Sequence, residues 1–173
     1  MMNPEEEKIM AKDNFSGGGD VHLEKGLGIQ EKVVYFEDVD VGKEITPLVK
    51  EPVTRTQIVR YAGSSRDFNP MHHDEPLAQS AGMGGVFAHG MMSMAFLGQM
   101  VKEWCGHERL QKLTVRFMNL TRPGDTLTCK GTVTKKYQKE GKNLVGCDIY
   151  AHNQRNEVVT KGAVVVLLPS KKR

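Results

Sequence analysis

Apolar and polar residues alternate through much of the chain after residue 112, and this two-residue period predicts β-strands. The alternation runs through residues 113–117, 127–133 and 145–149. Residues Val158–Leu168 are almost continuously apolar, which is typical of a strand in the centre of a sheet. Turn-forming residues separate these segments, in Arg122-Pro-Gly-Asp125, Glu140-Gly141-Lys142 and Asn153-Gln-Arg-Asn156.

The part of the chain before residue 112 shows helical patterns instead. Gly90–Trp104 is apolar on nearly every face over most of its length, which predicts a buried helix about 22 Å long. A shorter helix is predicted over Arg55–Ala62, with Thr54 as its N-cap, and another begins after Asp74. Glu44–Val53 is predicted to be a strand.

Together these elements predict an α+β domain in which an antiparallel sheet of about five strands curls around one buried central helix. We expect this domain to span residues 33–170. Residues 1–32 are polar, contain three consecutive glycines and show no periodicity, so we expect a disordered or loosely attached N-terminal extension.

Charge and composition narrow the class of protein. The formal net charge of +3 is too small for a typical nucleic-acid binder. Residues 1–32 hold seven acids and four bases, a charge of −3, which leaves +6 for the rest and favours a small anionic ligand. The three cysteines fit neither a disulfide framework nor a metal motif, so we expect a cytoplasmic protein. No apolar run is long enough for a membrane span, and none resembles a signal peptide.

Asp67 and His72 are the strongest candidates for chemistry. A carboxylate and an imidazole five residues apart can act as a general acid and base. Asn69 and Pro70 restrict the turn between them, which indicates that their geometry is controlled. The alternative is a helix-ending loop in which Asp67 caps backbone amides and His72 is a surface residue. A metal site at His72, His73 and Asp74 is disfavoured, because adjacent side chains in an extended loop point in opposite directions. We therefore predict no metal and no cofactor.

Gly90 opens the predicted central helix and follows Ala88-His89. Its amide belongs to an unpaired first helical turn, and a glycine lets a substrate oxygen approach closely. The alternative is a glycine required only by a tight loop-to-helix junction. We expect His89 to be structural, with its ring bonded to nearby backbone. Ser93 either lines the site or caps the helix.

Two arginines are candidates for binding phosphate groups. Arg116 lies in a predicted strand, and Arg122 begins a predicted turn. The alternative for both is an ordinary solvated cation.

Taken together, Asp67-Phe-Asn-Pro-Met-His72, Ala88-His-Gly90, Arg116-Phe117 and Arg122-Pro-Gly-Asp125 resemble the MaoC-like (R)-specific enoyl-CoA hydratase family. The resemblance covers about residues 33–168. It implies the hot-dog fold and reversible hydration of a trans-2-enoyl thioester carried by CoA or acyl-carrier protein. One departure is Arg66, because the family usually has glycine before the aspartate. This cation either lies beside the acid/base pair or points outward to a phosphate.

The resemblance also implies roles for individual residues. Asp67 and His72 would hold and activate a water molecule, and the Gly90 amide would polarise the thioester carbonyl. Asn69 would support the loop. Such members usually bind acyl-CoA at a dimer interface, so we expect a homodimer or larger homo-oligomer, with a heteromer as the alternative. A hot-dog thioesterase and a non-catalytic acyl-binding subunit are the competing functions.

Overall fold

The computed structural model describes residues 33–171, which form one antiparallel five-stranded sheet and three α-helices. The strands lie in the order β1-β3-β4-β5-β2. The helices are α1 (Arg55–Ser65), α2 (Glu75–Ser80) and α3 (Gly90–Cys105), and the strands are β1 (Glu44–Val49), β2 (Leu110–Phe117), β3 (Thr128–Lys139), β4 (Lys142–His152) and β5 (Val158–Leu167). This arrangement confirms the predicted α+β class. The predicted N-terminal extension lies outside the described residues.

Capping side chains determine where the two short helices, α1 and α2, begin. The Thr54 hydroxyl accepts the Gln57 N–H at 3.0 Å, which caps α1 as predicted. The Asp74 carboxylate accepts the Leu77 N–H at 3.0 Å and caps α2. Residue 66 ends α1 in the left-handed conformation. These two helices bring the segment between them, residues 66–74, to one end of α3.

Helix α3 packs against the sheet along one side only. Its core-facing residues include Met92, Leu97, Met100 and Val101, all nearly inaccessible to solvent. Each side chain of this kind contributes about 1.5–3 kcal/mol by burial. The opposite side of the helix is more open, and Met91 is exposed. The sequence predicted burial on nearly every face, but a single five-stranded sheet covers only one side of a helix.

The sheet registers follow the predicted alternation. A tight hairpin joins β3 to β4 through Glu140 and Gly141, which both have positive φ. Strand β5 pairs with β4 on one side and β2 on the other, as its apolar run indicated. Strand β1 ends at Val49 rather than at the predicted Val53, because Pro52 has no N–H to continue the ladder.

Among the helices of residues 33–171, none has both the length and the apolar character needed to cross a bilayer. The three cysteines are unpaired and buried.

Candidate active site

The segment after α1 is held by its own side chains. The Asp67 Oδ1 atom accepts the Asn69 N–H at 3.3 Å, and the Asn69 Oδ1 atom accepts the Met71 N–H at 3.1 Å. Pro70–His72 then forms a single 3₁₀ turn. Two successive side-chain-to-backbone bonds therefore fix the path from Asp67 to His72, which is the role that the sequence predicts for Asn69.

Asp67 and His72 face each other across a gap suited to one water molecule. The His72 Nε2 atom lies 4.0 Å from the Asp67 Oδ2 atom, which is too far for a direct hydrogen bond. The His72 side chain is 8% exposed, whereas that of Asp67 is 54% exposed. The pair therefore combines a buried imidazole with an accessible carboxylate, and a water can bond to both.

The protonation of His72 is set by its surroundings. Burial lowers the pKa of His72 below its ordinary value of 6.5, while the bond to the Phe87 carbonyl and the nearby Asp67 oppose that shift. The neutral ring is therefore favoured at pH 7. Its Nδ1–H donates to the Phe87 carbonyl oxygen at 2.8 Å, so the Nε2 lone pair faces Asp67.

His89 completes the cluster from the N-cap position of α3. Its Nε2–H donates to the Asp67 carbonyl oxygen at 2.9 Å, which confirms the predicted bond to nearby backbone. The centroids of the His89 and His72 rings are 3.7 Å apart, and the centroid of the Tyr61 ring lies 5.0 Å from that of His89, with the two rings tilted by 49°. The sequence analysis missed this ring cluster, because spacing along the chain does not reveal contacts between separate elements.

Asp67, His72 and His89 have potential ligand atoms within 4.8 Å of one another, which is close enough to hold a metal ion. The His89 Nε2 atom already carries the proton that it donates to backbone, however, and a metal would need its lone pair. The predicted exclusion of His73 and Asp74 as ligands agrees with their contacts, because Asp74 caps α2 and the His73 Nε2 faces the Phe68 carbonyl at 3.4 Å. The cluster is better suited to proton transfer than to metal binding.

Gly90 is the first residue of α3, and its N–H has no hydrogen-bond partner within residues 33–171. Its lack of a side chain has a packing reason, since a Cβ atom there would lie 3.0 Å from the Phe117 ring. Both predicted uses of this glycine are therefore compatible with the geometry. The amide has no acceptor among residues 33–171, so it can bind an oxygen, and the ring of Phe117 packs against the helix start.

Three further residues were predicted to belong to the site: Ser93, Arg116 and Arg122. The buried Ser93 hydroxyl donates to the Gly90 carbonyl at 2.6 Å and lies 2.5 Å from the Thr160 hydroxyl, so it ties the first turn of α3 to β5. Arg116 is exposed on β2. The Arg122 guanidinium donates to the backbone carbonyls of Met83, Gly85 and Val86.

Arg66 occupies a left-handed backbone position, with φ 58° and ψ 23°. A residue with a Cβ atom pays about 1–2 kcal/mol there, whereas glycine does not. This geometry explains why glycine suits the position that Arg66 fills. Its side chain makes no ion pair with any other residue in the described part of the chain.

We expect Arg66→Gly to stabilise the protein by about 1 kcal/mol, raising its melting temperature by about 2–4 °C. Thermal unfolding of the variant beside the parent measures this shift. Arg60→Gly is the matched control, because residue 60 lies inside α1 and glycine there should destabilise by about 1 kcal/mol. A melting temperature that falls in both variants would contradict the assigned strain.

Comparison with known proteins places the chain in a family. Residues 38–152 match the MaoC-like domain family model. The 3-hydroxybutyryl-CoA dehydratase of Methylorubrum extorquens is 26% identical over 143 residues, covering 81% of this chain and 87% of that protein. The (R)-specific enoyl-CoA hydratase of Rhodospirillum rubrum is 31% identical over 102 residues, covering 58% of this chain and 69% of that protein. The unliganded R-hydratase PhaJ1 of Pseudomonas aeruginosa superposes with a TM-score of 0.71 at 22% identity, covering 80% and 88%.

The five-stranded antiparallel sheet and its packed helix therefore have the hot-dog fold of these structures. The chain belongs to the MaoC-like domain family and is a hydro-lyase.

Proposed function

We propose that this protein catalyses the reversible addition of water to a trans-2-enoyl-CoA, giving the (R)-3-hydroxyacyl-CoA. The observation that carries the proposal is the 4.0 Å gap between the His72 Nε2 and Asp67 Oδ2 atoms. His89, which precedes the first amide of α3, lies at the same distance from that carboxylate oxygen. The relatives named as a dehydratase of 3-hydroxybutyryl-CoA and a hydratase of enoyl-CoA support the same class of substrate.

The geometry supports a mechanism with two parts. Asp67 and His72 bind one water, and the pair takes a proton from it as the oxygen bonds to C3 of the enoyl group. Negative charge then grows on the thioester oxygen, and we assign its stabilisation to the Gly90 N–H. A proton returned from the pair to C2 on the same face completes the addition. In this mechanism the chain supplies both proton transfer and carbonyl polarisation without a cofactor.

The configuration of the product tests the proposal. We expect crotonyl-CoA to be converted to the (R)-3-hydroxybutyryl thioester, as resolved by chiral chromatography after hydrolysis. A product of (S) configuration would contradict the assigned placement of the water. Release of free CoA without a hydroxyacyl product would instead identify a thioesterase.

The surroundings of the site support assembly as a homodimer. Four exposed apolar side chains lie in the segments that carry or adjoin the site: Phe68, Met91, Phe117 and Met118. Strand β2 is an edge strand of the sheet. A second copy that covers this region would bury the patch and help to enclose the acyl chain. A solved relative is a complex of two proteins, ChsH1 and ChsH2, from Mycobacterium tuberculosis, so a heteromer is the alternative.

We expect light scattering to give twice the mass of the 19.3 kDa chain. The activity per chain should fall on dilution in step with the dimer fraction, because each site would be completed by the other subunit. A monomer that retains full activity would contradict the shared site.

Arg116 stays our candidate for contact with CoA phosphates. It lies opposite Lys161 in the β2–β5 register, and both cations are exposed. They line a groove of about 720 Å³ on the sheet. Neither forms an ion pair with an acid among the residues the structure describes. Like charges on neighbouring strands repel, and an anionic ligand would relieve that repulsion.

A cytoplasmic location is also part of the proposal, since the three buried thiols suit a reducing compartment.

A further inference from the structure

We propose that Arg122 is a positioning residue, which fixes the backbone of residues 83–87 and thereby selects the tautomer of His72. The inference rests on the proposed function only in assigning catalytic work to His72. It replaces the interpretation of Arg122 as a phosphate ligand, because both of its terminal nitrogens donate to backbone carbonyls of this loop.

The Arg122 guanidinium holds the loop between α2 and α3. Its Nη1 donates to the carbonyl oxygen of Gly85 at 2.6 Å and, more weakly, to that of Val86 at 3.3 Å. Its Nη2 donates to the Met83 carbonyl oxygen. The guanidinium carbon also lies 5.8 Å from the centroid of the Phe87 ring. One rigid, planar group thus binds three carbonyls of a single loop, which a lysine ammonium on a flexible stem cannot reproduce.

Arg122 is itself fixed from the opposite side. Its backbone N–H donates to the Asp125 Oδ2 atom at 2.8 Å, closing the predicted turn. The Asp125 carboxylate is 2% exposed, and its Oδ1 atom accepts from Gln154 at 3.0 Å and from Arg155 at 3.1 Å. A buried, fully bonded carboxylate therefore anchors the turn that projects the guanidinium.

The loop ends at the carbonyl that His72 uses. The Phe87 carbonyl oxygen accepts the His72 Nδ1–H at 2.8 Å. On the following residue, the Ala88 N–H donates to the Thr121 carbonyl at 2.8 Å. The backbone on both sides of the Phe87 carbonyl is therefore hydrogen-bonded to the same turn. Arg122 binds the carbonyls of Gly85 and Val86 before it, and Thr121 binds the N–H of Ala88 after it.

The tautomer of His72 depends on this carbonyl. A neutral imidazole carries its proton on either nitrogen, and the acceptor that it meets selects which one. While the Phe87 oxygen stays at Nδ1, the lone pair remains at Nε2, toward Asp67. If the hydrogen bonds from Arg122 are lost and the Phe87 carbonyl moves, the tautomer with its proton on Nε2 becomes populated. In that tautomer, His72 Nε2 can no longer accept a proton from the water.

Kinetics on two substrates separate positioning from phosphate binding. The variants are Arg122→Met and Arg122→Lys, with Arg60→Met as a control on an exposed helical position. The substrates are crotonyl-CoA and the crotonyl thioester of N-acetylcysteamine, which has no phosphate. We expect the Met variant to lose up to about 10²-fold in kcat on both substrates, as misplaced reacting groups do, and the Lys variant to lose less. A defect confined to the KM for crotonyl-CoA would overturn the proposal in favour of a phosphate ligand.

A spectroscopic measurement tests the same inference without using activity. The ¹⁵N resonances of the His72 ring report which nitrogen carries the proton. We expect the parent to show the Nδ1–H form and Arg122→Met to show a mixture of forms. If the Met variant does not fold, the Lys variant carries the test, with a smaller shift in the same direction. An unchanged tautomer in a folded variant would overturn the proposal, whereas an inactive parent with the expected tautomers would count only against the hydratase assignment.

Discussion

Asp67→Asn and His72→Asn should each lower hydration of crotonyl-CoA by about 10²–10⁴-fold while the protein stays folded. Asparagine at residue 67 keeps an oxygen for the Asn69 N–H but is a far poorer proton acceptor than a carboxylate. Asparagine at residue 72 retains a donor near the position of Nδ1, so the bond to the Phe87 carbonyl can survive while Nε2 is lost. Steady-state rates and thermal unfolding on the same samples measure both effects.

The double variant, Asp67→Asn with His72→Asn, tests whether the two groups act together. If the two groups act on one water as a unit, the double variant should be little worse than either single variant. His73→Asn is the matched control, because it changes an exposed neighbouring histidine that the mechanism does not use. Losses that multiply in the double variant, or turnover near the parent's value in either single variant, would count against a shared water.

Gly90→Pro should lower turnover by about 10²–10³-fold, because it deletes a backbone donor to the thioester oxygen. Proline is tolerated at the first residue of a helix, where the N–H has no helical partner. The backbone of His89, with φ −57° and ψ 134°, already has the extended conformation that precedes proline. The substitution therefore removes the donor with little change in the path of the chain.

Gly90→Ala is the matched control for the proline variant. Both substitutions place a Cβ atom 3.0 Å from the Phe117 ring, but only proline lacks the N–H. The exposed ring can shift for either residue. We expect alanine to retain most of the turnover. Equal turnover in the two variants would show that the glycine serves packing against Phe117 and that its amide does not stabilise the oxygen.

Local chemistry made several elements predictable from the sequence. Hydrogen bonds between nearby residues create the caps at Thr54 and Asp74, so the residue types alone identify them. The alternation of apolar and polar residues in β3 and β4 reflects a sheet with one face on the core. The glycine of the β3–β4 hairpin likewise marks a position with positive φ.

Contacts between distant segments could not be predicted in this way. Stacking of His89 on His72 joins the N-cap of α3 to a 3₁₀ turn, and no periodicity encodes such a contact. The sequence offered a phosphate ligand or a solvated cation for Arg122, whereas the fold brings it to three carbonyls of a loop 36 to 39 residues earlier. The exposed side of α3 was also missed, since an apolar sequence does not specify which of its faces the same chain covers.

The most direct test of the account follows crotonyl-CoA with the parent protein and the Asp67→Asn variant side by side. Absorbance of the enoyl thioester and release of free thiol are recorded in the same reaction. The account predicts that the parent consumes the enoyl group to equilibrium without releasing thiol, and that the variant is slower by at least about 10²-fold. Stable enoyl absorbance with steady release of thiol by the parent, or equal rates in the two proteins, would contradict it.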